Sequence, residues 1–288
     1  MAEKYDYNEL KSSGFIKQVQ HERFSLRINI VGGQVSTKQL NSVYKLAKKF
    51  GNGHVHLTSR QSIEIPFIKL EEIEQVREFL AQEKLQPAST GSKVRTITAC
   101  QGNAICSSGL INTSELANEV DARFGGRSLP HKFKIGITGC RNNCLKAEEN
   151  DIGIKGALEP VWSEADCTYC GLCQKVCPGN AITVDKNART LTFNKELCLS
   201  CGRCVKSCPK KSWSGESGFI VFFGGLYGNR IVIGKQLLPV IHSKDKLFDI
   251  IEATLEFFKE HGKKSERFCT LLDRIGWDTF IKTLEQHR

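Results

Sequence analysis

The chain has 288 residues, of which 40% are hydrophobic and 25% are charged, a composition typical of soluble globular proteins. Its formal charge of +10 does not predict a nucleic-acid partner, because Lys and Arg form no dense block and aromatic residues do not alternate with them. The N-terminal sequence MAEKYDYNEL lacks the apolar core of a secretory signal, and no apolar run is long enough to span a bilayer. We therefore expect a cytoplasmic protein with no membrane span.

The first 98 residues predict an α/β sandwich. Apolar residues alternate along 24–31 and recur with helical spacing along 40–50. They alternate again in 54–59 and 62–68, return to helical spacing in 70–85, and end in a strand over 94–99. This β-α-β-β-α-β order is that of a ferredoxin-like sandwich. The Gly32-Gly33 pair is expected to turn the chain before the first helix.

The rest of the chain predicts further α+β structure that is interrupted by an insertion. We expect a helix near 114–124, strands near 132–139, 151–162, 218–223 and 230–234, and helices near 244–261, 265–275 and 277–286. The sequence therefore predicts three domains. They are a sandwich at 1–98, a second domain formed by 99–163 and 213–288, and an inserted segment at 164–212.

Eight cysteines of the inserted segment repeat one pattern. The run C-x2-C-x2-C-x3-C-P begins at Cys167 and again at Cys198, 31 positions later, which is the spacing of bacterial two-cluster ferredoxins. In such modules three closely spaced cysteines and the last cysteine of the other run hold each [4Fe-4S] cluster. The expected ligand sets are Cys167, Cys170, Cys173 and Cys208 for one cluster, and Cys177, Cys198, Cys201 and Cys204 for the other.

A second cysteine group precedes the inserted segment and comprises Cys100, Cys106, Cys140 and Cys144. Its C-x5-C and C-x3-C spacings are unusual for structural zinc, and taken alone they leave iron–sulfur and zinc equally open. The neighbouring ferredoxin pattern favours iron–sulfur. A pair of zinc sites is also the alternative for the inserted segment, where the doubled run with its prolines is much more specific.

These cysteines lie in segments that resemble the siroheme-containing sulfite and nitrite reductases. The matching stretches are VRTITAC at 94–100, LPHKFKIGITGCRNNC at 129–144, GFIVFFGGLYGNR at 218–230, and the ERF and RIG pieces at 266–268 and 274–276. The resemblance covers most of the chain. It is strongest for short members that carry a ferredoxin module, such as the dissimilatory-type proteins and the C component of anaerobic sulfite reductase.

The resemblance implies a coupled centre. The quartet of Cys100, Cys106, Cys140 and Cys144 would hold a [4Fe-4S] cluster, and Cys144 would also ligate the iron of siroheme, so that cluster and macrocycle share one sulfur. Asn143, next to Cys144, would allow backbone N–H groups to approach the sulfurs and tune the potential. With the inserted segment, the expected cofactors are siroheme and three [4Fe-4S] clusters.

The resemblance also implies a cationic face that binds the substrate anion. The family uses two arginines and a Lys-x-Lys pair. Arg95 matches one arginine, and Lys132 and Lys134 match the pair, which the strand period of two places on one side. The position of the other arginine is Asn29 in this sequence. Arg27 is expected on the same strand face as Asn29 and is the candidate replacement.

The TSRQ segment at 58–61 resembles the family's Thr-x-Arg-Gln segment, whose arginine contacts the siroheme carboxylates. Arg60 is therefore the main candidate for this role, with Thr58 and Gln61 beside it and Arg230 as a weaker candidate. A guanidinium suits the role because it can form two parallel hydrogen bonds with one carboxylate.

Larger family members hold two homologous halves, one of which supplies the cluster cysteines and the other the anion-binding residues. This chain has one copy, so we expect a homodimer, or a heteromer with a related subunit, in which Lys132 and Lys134 face the partner's siroheme. The expected reaction is reduction of sulfite to sulfide, with electrons from a separate ferredoxin or flavoprotein. Two alternatives are nitrite reduction to ammonia at the same centre and a non-catalytic electron-transfer subunit without siroheme.

Overall fold

A computed structural model describes residues 6–286, which form two mixed layers of sheet and helix. The first layer contains α1 (Tyr7–Ser12), β1 (Phe15–Lys17), β2 (Arg23–Ile28), α2 (Thr37–Phe50), β3 (His56–Leu57), β4 (Ile63–Lys69) and α3 (Ile73–Glu83). Its four strands are antiparallel in the order β1-β2-β4-β3. One face of this sheet packs on α2 and α3 in a single apolar core.

Helix α2 shows why the sequence folds locally as predicted. Ser36 and Gln39 form a reciprocal capping box at its start, with distances of 3.1 and 2.9 Å between side-chain oxygen and backbone nitrogen. Val43, Leu46 and Phe50 lie on its buried face. The helix ends before Gly51, as the spacing predicts. Because these signals all lie within the 16 residues from Ser36 to Gly51, tertiary contacts are not needed to read them.

The predicted final strand of the sandwich is wrong. Only Thr98–Ala99 (β5) is a strand, and it pairs in parallel with a strand of the second sheet. The fourth strand of the first sheet is instead β1, which pairs with β2. A strand pattern shows which side of a segment is buried, but it does not show which sheet edge the segment joins. The α+β class is confirmed, whereas the β-α-β-β-α-β order is not.

The second layer is a five-stranded sheet covered by helices. It contains β5, α4 (Thr113–Phe124), β6 (Ile135–Thr138), β7 (Ile152–Trp162), β10 (Trp213–Phe223), β11 (Lys235–Gln236), α7 (Lys244–His261), α8 (Phe268–Ile275) and α9 (Trp277–Glu285). The strand order is β11-β10-β7-β6-β5. The predicted helices are present. The predicted strand at 230–234 is wrong, because that segment forms only an isolated bridge between Leu226 and Val232 before β11.

The inserted segment extends from the end of a long antiparallel pair. β7 and β10 pair over eleven residues each, and the pairing ends with Trp162 opposite Trp213. Between them lie α5 (Leu172–Val176), β8 (Ile182–Asp185), β9 (Thr190–Phe193) and α6 (Arg203–Ser207). This segment has its own small core, in which cysteine side chains pack with Ile182 and Trp213. Within residues 6–286, none of the helices combines the length and the apolar character that crossing a bilayer requires.

A buried ion pair joins β7 to the C-terminal helices. The carboxylate of Asp151 is fully buried and accepts from Arg267 Nη2 at 3.0 Å and from the backbone N–H of Lys134 at 2.8 Å. Burial raises the pKa of Asp151, and Arg267 opposes that shift. The pair therefore fixes the backbone just before β6 against Arg267, the residue that caps α8.

Replacing Asp151 with Ala is expected to destabilise the fold by about 3–5 kcal/mol, because it leaves Arg267 buried without its partner. Urea unfolding followed by circular dichroism measures the change. The matched control is Asp273→Ala, which breaks the exposed pair with Arg230 at 2.9 Å and should cost less than about 1 kcal/mol. Equal losses for the two variants would contradict the structural role given to Asp151.

Candidate active site: a cysteine cavity and a cationic cavity

The second cysteine group lies at one edge of the five-stranded sheet. Cys100 follows β5, and Cys140 and Cys144 follow β6. Because β5 and β6 are adjacent and parallel, their carboxyl ends meet at the same edge. Cys106 joins them after a short turn. All four cysteines line one cavity of about 1110 Å³, which we call the cysteine cavity. It is at least as large as the roughly 300–1,000 Å³ of common ligand pockets.

One wall of the cysteine cavity contains a tight turn at Gly32 and Gly33. Gly32 and Gly33 have φ values of 61° and 70°, and a Cβ atom added to Gly33 would lie 3.0 Å from Nε2 of Gln61. Gln61 is held in place because its amide both donates to and accepts from the backbone of Ala99, at 2.9 Å each. Glycine is therefore required at these positions by the left-handed backbone and, at Gly33, by close packing on Gln61.

The loop that carries Cys140 and Cys144 is held from behind by a polar chain. Asn143 adopts a left-handed conformation, its Oδ1 accepts from the N–H of Ala147 at 2.8 Å, and its Nδ2 donates to Glu148 at 2.8 Å. Glu148 in turn pairs with Lys155, whose side chain is only 4% exposed. Sequence reasoning missed Glu148 and Lys155. The available signal was a lysine within the apolar strand IGIKGAL, since buried lysines are rarely unpaired.

Backbone N–H groups also reach the sulfurs. The N–H of Gly139 donates to Sγ of Cys100 at 3.0 Å, and a side chain at Gly139 would collide with the backbone of Gly102, whose Cα lies 2.9 Å from the ideal Cβ position. A donor of this kind stabilises a thiolate and tunes any metal centre that it ligates.

A second cavity, of about 180 Å³, contains the predicted anion-binding residues. We call it the cationic cavity. Its described lining carries five cationic side chains and no carboxylate, and it consists of Arg27, Arg60, Ser62, Ala88, Ser89, Arg95, Thr96, Lys132 and Lys134. Both lysines face this cavity, while Phe133 between them is fully buried against Phe258 and Phe268. The period of two along this segment is therefore confirmed.

No carboxylate in the described lining of the cationic cavity balances its cationic side chains. Burial lowers the pKa of Arg60 and of Arg95 to about 10 each, and burial next to Arg60 and Arg267 lowers the pKa of Lys134 to about 8. The Nε–H of Arg95 is buried and has no hydrogen-bond partner within residues 6–286. An unpaired buried guanidinium donor is costly, so a small anion that accepts from Arg95 would relieve that cost.

Two residues that are adjacent in the chain, Arg60 and Gln61, line different cavities. Arg60 lines the cationic cavity and donates to Asn150 Oδ1 at 2.9 Å and to the carbonyl of Thr96 at 3.0 Å. Gln61, with a left-handed φ of 60°, lines the cysteine cavity instead. No residue lines both cavities in the described chain. The cationic residues of one chain are thus not arranged around its own Cys144.

Arg27 and Asn29 also separate, contrary to the expectation that they share a face. Arg27 lines the cationic cavity, where its Nε donates to Glu64 at 2.8 Å. Asn29 lines the cysteine cavity, donates to Asp121 at 3.2 Å and accepts from the Thr96 hydroxyl at 2.6 Å. Arg27 therefore does not take the place of an arginine at position 29, because β2 ends at Ile28 and the chain then turns.

Thr58 and Arg230, two further predicted cofactor contacts, line neither cavity. The Thr58 hydroxyl accepts from the N–H of Ser62 at 3.0 Å and so shapes the 58–62 turn. Arg230 pairs with Asp273 at 2.9 Å on the surface, with 57% of its side chain exposed. Neither residue faces the cysteine cavity of its own chain, which leaves Gln61 and Asn143 as the sequence-predicted cofactor contacts that do.

The inserted segment brings its eight cysteines together in two groups. One void is bordered by Cys167, Cys170, Cys173 and Cys208, and the other by Cys177, Cys198, Cys201 and Cys204. This exchange of the fourth cysteine between the runs matches the grouping read from the spacing. In the described part of the chain, no three His, Cys, Asp or Glu side chains lie close enough together for a single metal ion. The thiols of each group instead border a small void.

Comparisons with known proteins define the class. The model of the nitrite and sulphite reductase 4Fe-4S domain matches residues 90–288, and that of the nitrite/sulfite reductase ferredoxin-like half domain matches residues 16–83. The chain therefore belongs to the nitrite and sulfite reductase family.

Individual relatives are sulfite reductases and nitrite reductases. The chain is 33% identical to the coenzyme F420-dependent sulfite reductase of Methanocaldococcus jannaschii over 88% of its own length and 41% of that protein. It is 31% identical to the C component of the anaerobic sulfite reductase of Salmonella typhimurium, over 54% of its length and 50% of that component. The chain thus spans half or less of these two relatives. It is also 30% identical to an uncharacterized M. jannaschii protein, over 91% of each chain.

Solved structures show the same fold. Dissimilatory sulfite reductase I superposes with a TM-score of 0.74 at 18% identity, over 91% of this chain and 69% of that one. The NirA protein of Mycobacterium tuberculosis superposes with a TM-score of 0.68 at 14% identity, over 98% and 47%. At these identities the likeness concerns the fold.

Proposed function

We propose that this chain reduces sulfite to sulfide at a siroheme coupled to a [4Fe-4S] cluster. The observation that carries the proposal is the pair of cavities on a reductase fold. One cavity is large and lined by four cysteines, and the other is small and cationic, with a buried Nε–H of Arg95 that has no acceptor in the described chain. The first fits a macrocycle next to a cluster, and the second fits a small oxyanion.

The residues of the cysteine cavity would hold the cofactors. Cys100, Cys106, Cys140 and Cys144 would ligate one [4Fe-4S] cluster, with Cys144 shared with siroheme, and the two groups in the inserted segment would hold two more clusters. When bound, these groups supply electrons and the metal at which sulfur loses its oxygens. The four thiols and the volume of the cavity fit this cofactor set, since thiolates are the usual ligands of such clusters.

The residues of the cationic cavity would bind and protonate the substrate. Complete reduction of sulfite to the sulfide ion consumes six electrons and six protons and releases three waters. Arg95 would hold the anion through charge-assisted hydrogen bonds, and Lys132 and Lys134 would donate protons to the departing oxygens. Lys134 suits this role because its pKa of about 8 lies near neutral pH, where a group can both release and regain a proton.

Separation of the two cavities supports an assembly of two protomers. In a dimer with two-fold symmetry, the cationic cavity of one protomer can face the cysteine cavity of the other, and the same contact is made twice. We propose this homodimer, or an equivalent heteromer with a related protein. Arg60 would then contact a siroheme held by the partner rather than one in its own cysteine cavity.

Nitrite reduction to ammonia is the second candidate, and Asn29 is the observation that favours it. Asn29 is neutral, and its side-chain amide is hydrogen-bonded to Asp121 and Thr96. This position therefore contributes no positive charge that would bind sulfite. In plant-type nitrite reductases the second lysine of the pair is asparagine, and Lys134 therefore weighs in favour of sulfite.

Anaerobic reconstitution tests the proposal. The loaded protein should contain siroheme and about twelve irons per chain in its clusters, and should turn over sulfite with a reduced viologen faster than nitrite. Faster nitrite turnover would select the second candidate. A spectrum with iron–sulfur absorption but without siroheme bands, together with no turnover of either anion, would leave an electron-transfer protein.

The pKa of Lys134 predicts the pH dependence of substrate binding. The cationic form binds the anion and prevails below about pH 8, so the KM for sulfite should rise as pH increases through about 8. Lys134→Gln should raise the KM for sulfite roughly ten- to a hundredfold at pH 7, because one hydrogen bond from a charged group contributes about that much binding. The rise of KM near pH 8 should be absent in this variant. Lys134→Arg should bind sulfite without this rise. Sulfite's own titration affects all three proteins equally, so the ratio of their KM values isolates Lys134, and a ratio independent of pH would refute the assignment.

A further inference from the structure

The two cysteine runs of the inserted segment are related by internal symmetry, but their surroundings differ. Residue pairs 31 positions apart occupy equivalent places, so that Gly171 corresponds to Gly202 and Lys175 to Lys206. Both glycines begin a short helix with a left-handed conformation, at φ 77° and 68°. The second run can therefore be compared position by position with the first run, and the comparison shows which face of the first run lacks the corresponding contacts.

The second run packs on the loop of the coupled centre. The ammonium of Lys206 donates to the carbonyls of Ser107 and Gly109, at 2.8 and 3.2 Å. Gly202 is buried, and a Cβ atom there would lie 3.3 Å from the side chain of Leu110. The N–H of Leu110 in turn donates to the carbonyl of Gly139 at 2.8 Å, and Gly139 precedes Cys140.

A short chain of packed and hydrogen-bonded residues thus connects the second run to the cysteine cavity. The N–H of Gly109 also bonds to the carbonyl of Cys106 at 2.9 Å. A cluster held by Cys198, Cys201, Cys204 and Cys177 would therefore be the one next to the proposed coupled centre. The cluster held by the first run lies one step further out.

The equivalent face of the first run is open. Cys170 is exposed, whereas its counterpart Cys201 is half-buried. Leu172 is 38% exposed, and it borders an open depression of about 440 Å³ together with Lys175 and Lys186. Lys186 lies across Gly171, since a Cβ atom there would be 3.3 Å from its Cε. We call the residues of this surface the entry face, and they are Cys170, Gly171, Leu172, Lys175 and Lys186.

The chemistry of the entry face is that of a weak docking surface for an acidic protein. An exposed leucine beside a cysteine loop is surrounded by basic side chains, and Lys210 borders the same loop. The described lining of the depression contains no carboxylate. Electron carriers dock through small patches with an apolar centre and a charged rim, and complementary charge speeds their encounter.

We propose that a small acidic ferredoxin docks on the entry face and delivers electrons there. In each encounter its reduced cluster loses one electron, the cluster of the first run gains it, and no proton or bond changes. The electron then passes to the cluster of the second run and on to the coupled centre. This assignment rests on the proposed function, because it requires clusters in the inserted segment.

The test compares a protein donor with a small-molecule donor on the reconstituted full chain. The variant Lys175→Glu/Lys186→Glu reverses two charges of the entry face. The matched control, Lys48→Glu/Lys282→Glu, reverses two exposed lysines on α2 and α9. An acidic ferredoxin, reduced photochemically so that no sulfur oxyanion is added, serves as donor in one arm, and reduced methyl viologen serves in the other.

The entry-face variant should raise the KM for ferredoxin roughly tenfold at low ionic strength, and the difference should fade at high salt. Its viologen turnover should match that of the control. Equal ferredoxin KM values in the two variants would overturn the docking site while leaving the proposed function intact. Loss of viologen turnover in the unaltered protein would instead refute the proposed function. If the charge reversal lowers iron content, Lys175→Gln/Lys186→Gln should give a smaller shift in the same direction, and no shift would overturn the site.

Discussion

Replacing Cys144 with Ser is expected to abolish sulfite reduction. The thiol lines the cysteine cavity, and the loop that carries it is held by Asn143, Glu148 and Lys155. Losing an outer partner of a metal ligand costs about 10–100-fold, so losing a ligand shared by two centres should cost more than about a thousandfold in kcat. Cluster iron should fall from about twelve to about eight per chain, because the two clusters proposed for the inserted segment would remain. Iron analysis and absorption spectra under anaerobic conditions measure both effects.

Cys269 provides the matched control. It is the thirteenth cysteine, is 1% exposed, and packs within α8 away from all three cysteine groups. Cys269→Ala should keep the full iron count and most of the turnover. If Cys144→Ser also retained all of its cluster iron and its siroheme bands, the shared-ligand assignment would fail, and the cysteine cavity would need another occupant.

Mixing two inactive variants is expected to restore activity if each site is shared between protomers. Cys144→Ser disables the cysteine cavity, and Lys132→Gln/Lys134→Gln disables the cationic cavity. In a mixed dimer, one of the two shared sites combines an unaltered cysteine cavity with an unaltered cationic cavity. Random association makes half of the dimers mixed, so about a quarter of the unaltered activity should return. Co-expression with two different affinity tags isolates the mixed dimer and measures its turnover.

The control for this experiment is a pair of variants that damage the same cavity. Cys140→Ser mixed with Cys144→Ser should recover nothing, because every shared site then lacks one ligand of the quartet. A tag-verified mixed dimer of the first pair that stays inactive would contradict the shared site. It would place substrate and cofactor within one chain, and the separation of the cavities would then require a conformational change to bring Lys134 and Cys144 together.

The buried carboxylate at Asp151 links stability to this site. Its ion pair with Arg267 fixes the backbone at Lys134, and Lys134 lines the cationic cavity. A variant that weakens this pair should therefore raise the KM for sulfite as well as lower the free energy of unfolding.

Local patterns were sufficient for much of the molecule. The helix at 37–50 could be read from its cap, its apolar spacing and its terminal glycine, all within one segment. The exchange of the fourth cysteine between the two runs could be predicted from the cysteine spacing. A loop of about seven residues limits the directions in which its three thiols can point. The lysine pair could be placed on one face because side chains alternate along a strand.

Residues distant in sequence required the tertiary structure. The pattern at 94–99 indicated a strand, but only long-range pairing decided that it joins β6 rather than β2. Lys155 could not be recognised as the partner of Glu148, because burial and charge pairing depend on which elements pack together. The backbone reverses direction at Gln61, so Arg60 lines the cationic cavity. The segment was expected to contact siroheme in the cysteine cavity instead.

The sequence by itself determined the ligand chemistry, namely twelve cysteines in three groups and a set of cationic residues near one of them. Only the tertiary structure decided that the cysteines and the cations of one chain line different cavities. The physical reason is that spacing constrains neighbours along the chain, whereas the distance between two loops depends on how strands pair and where the backbone turns. That separation is the observation behind the proposed site between two protomers.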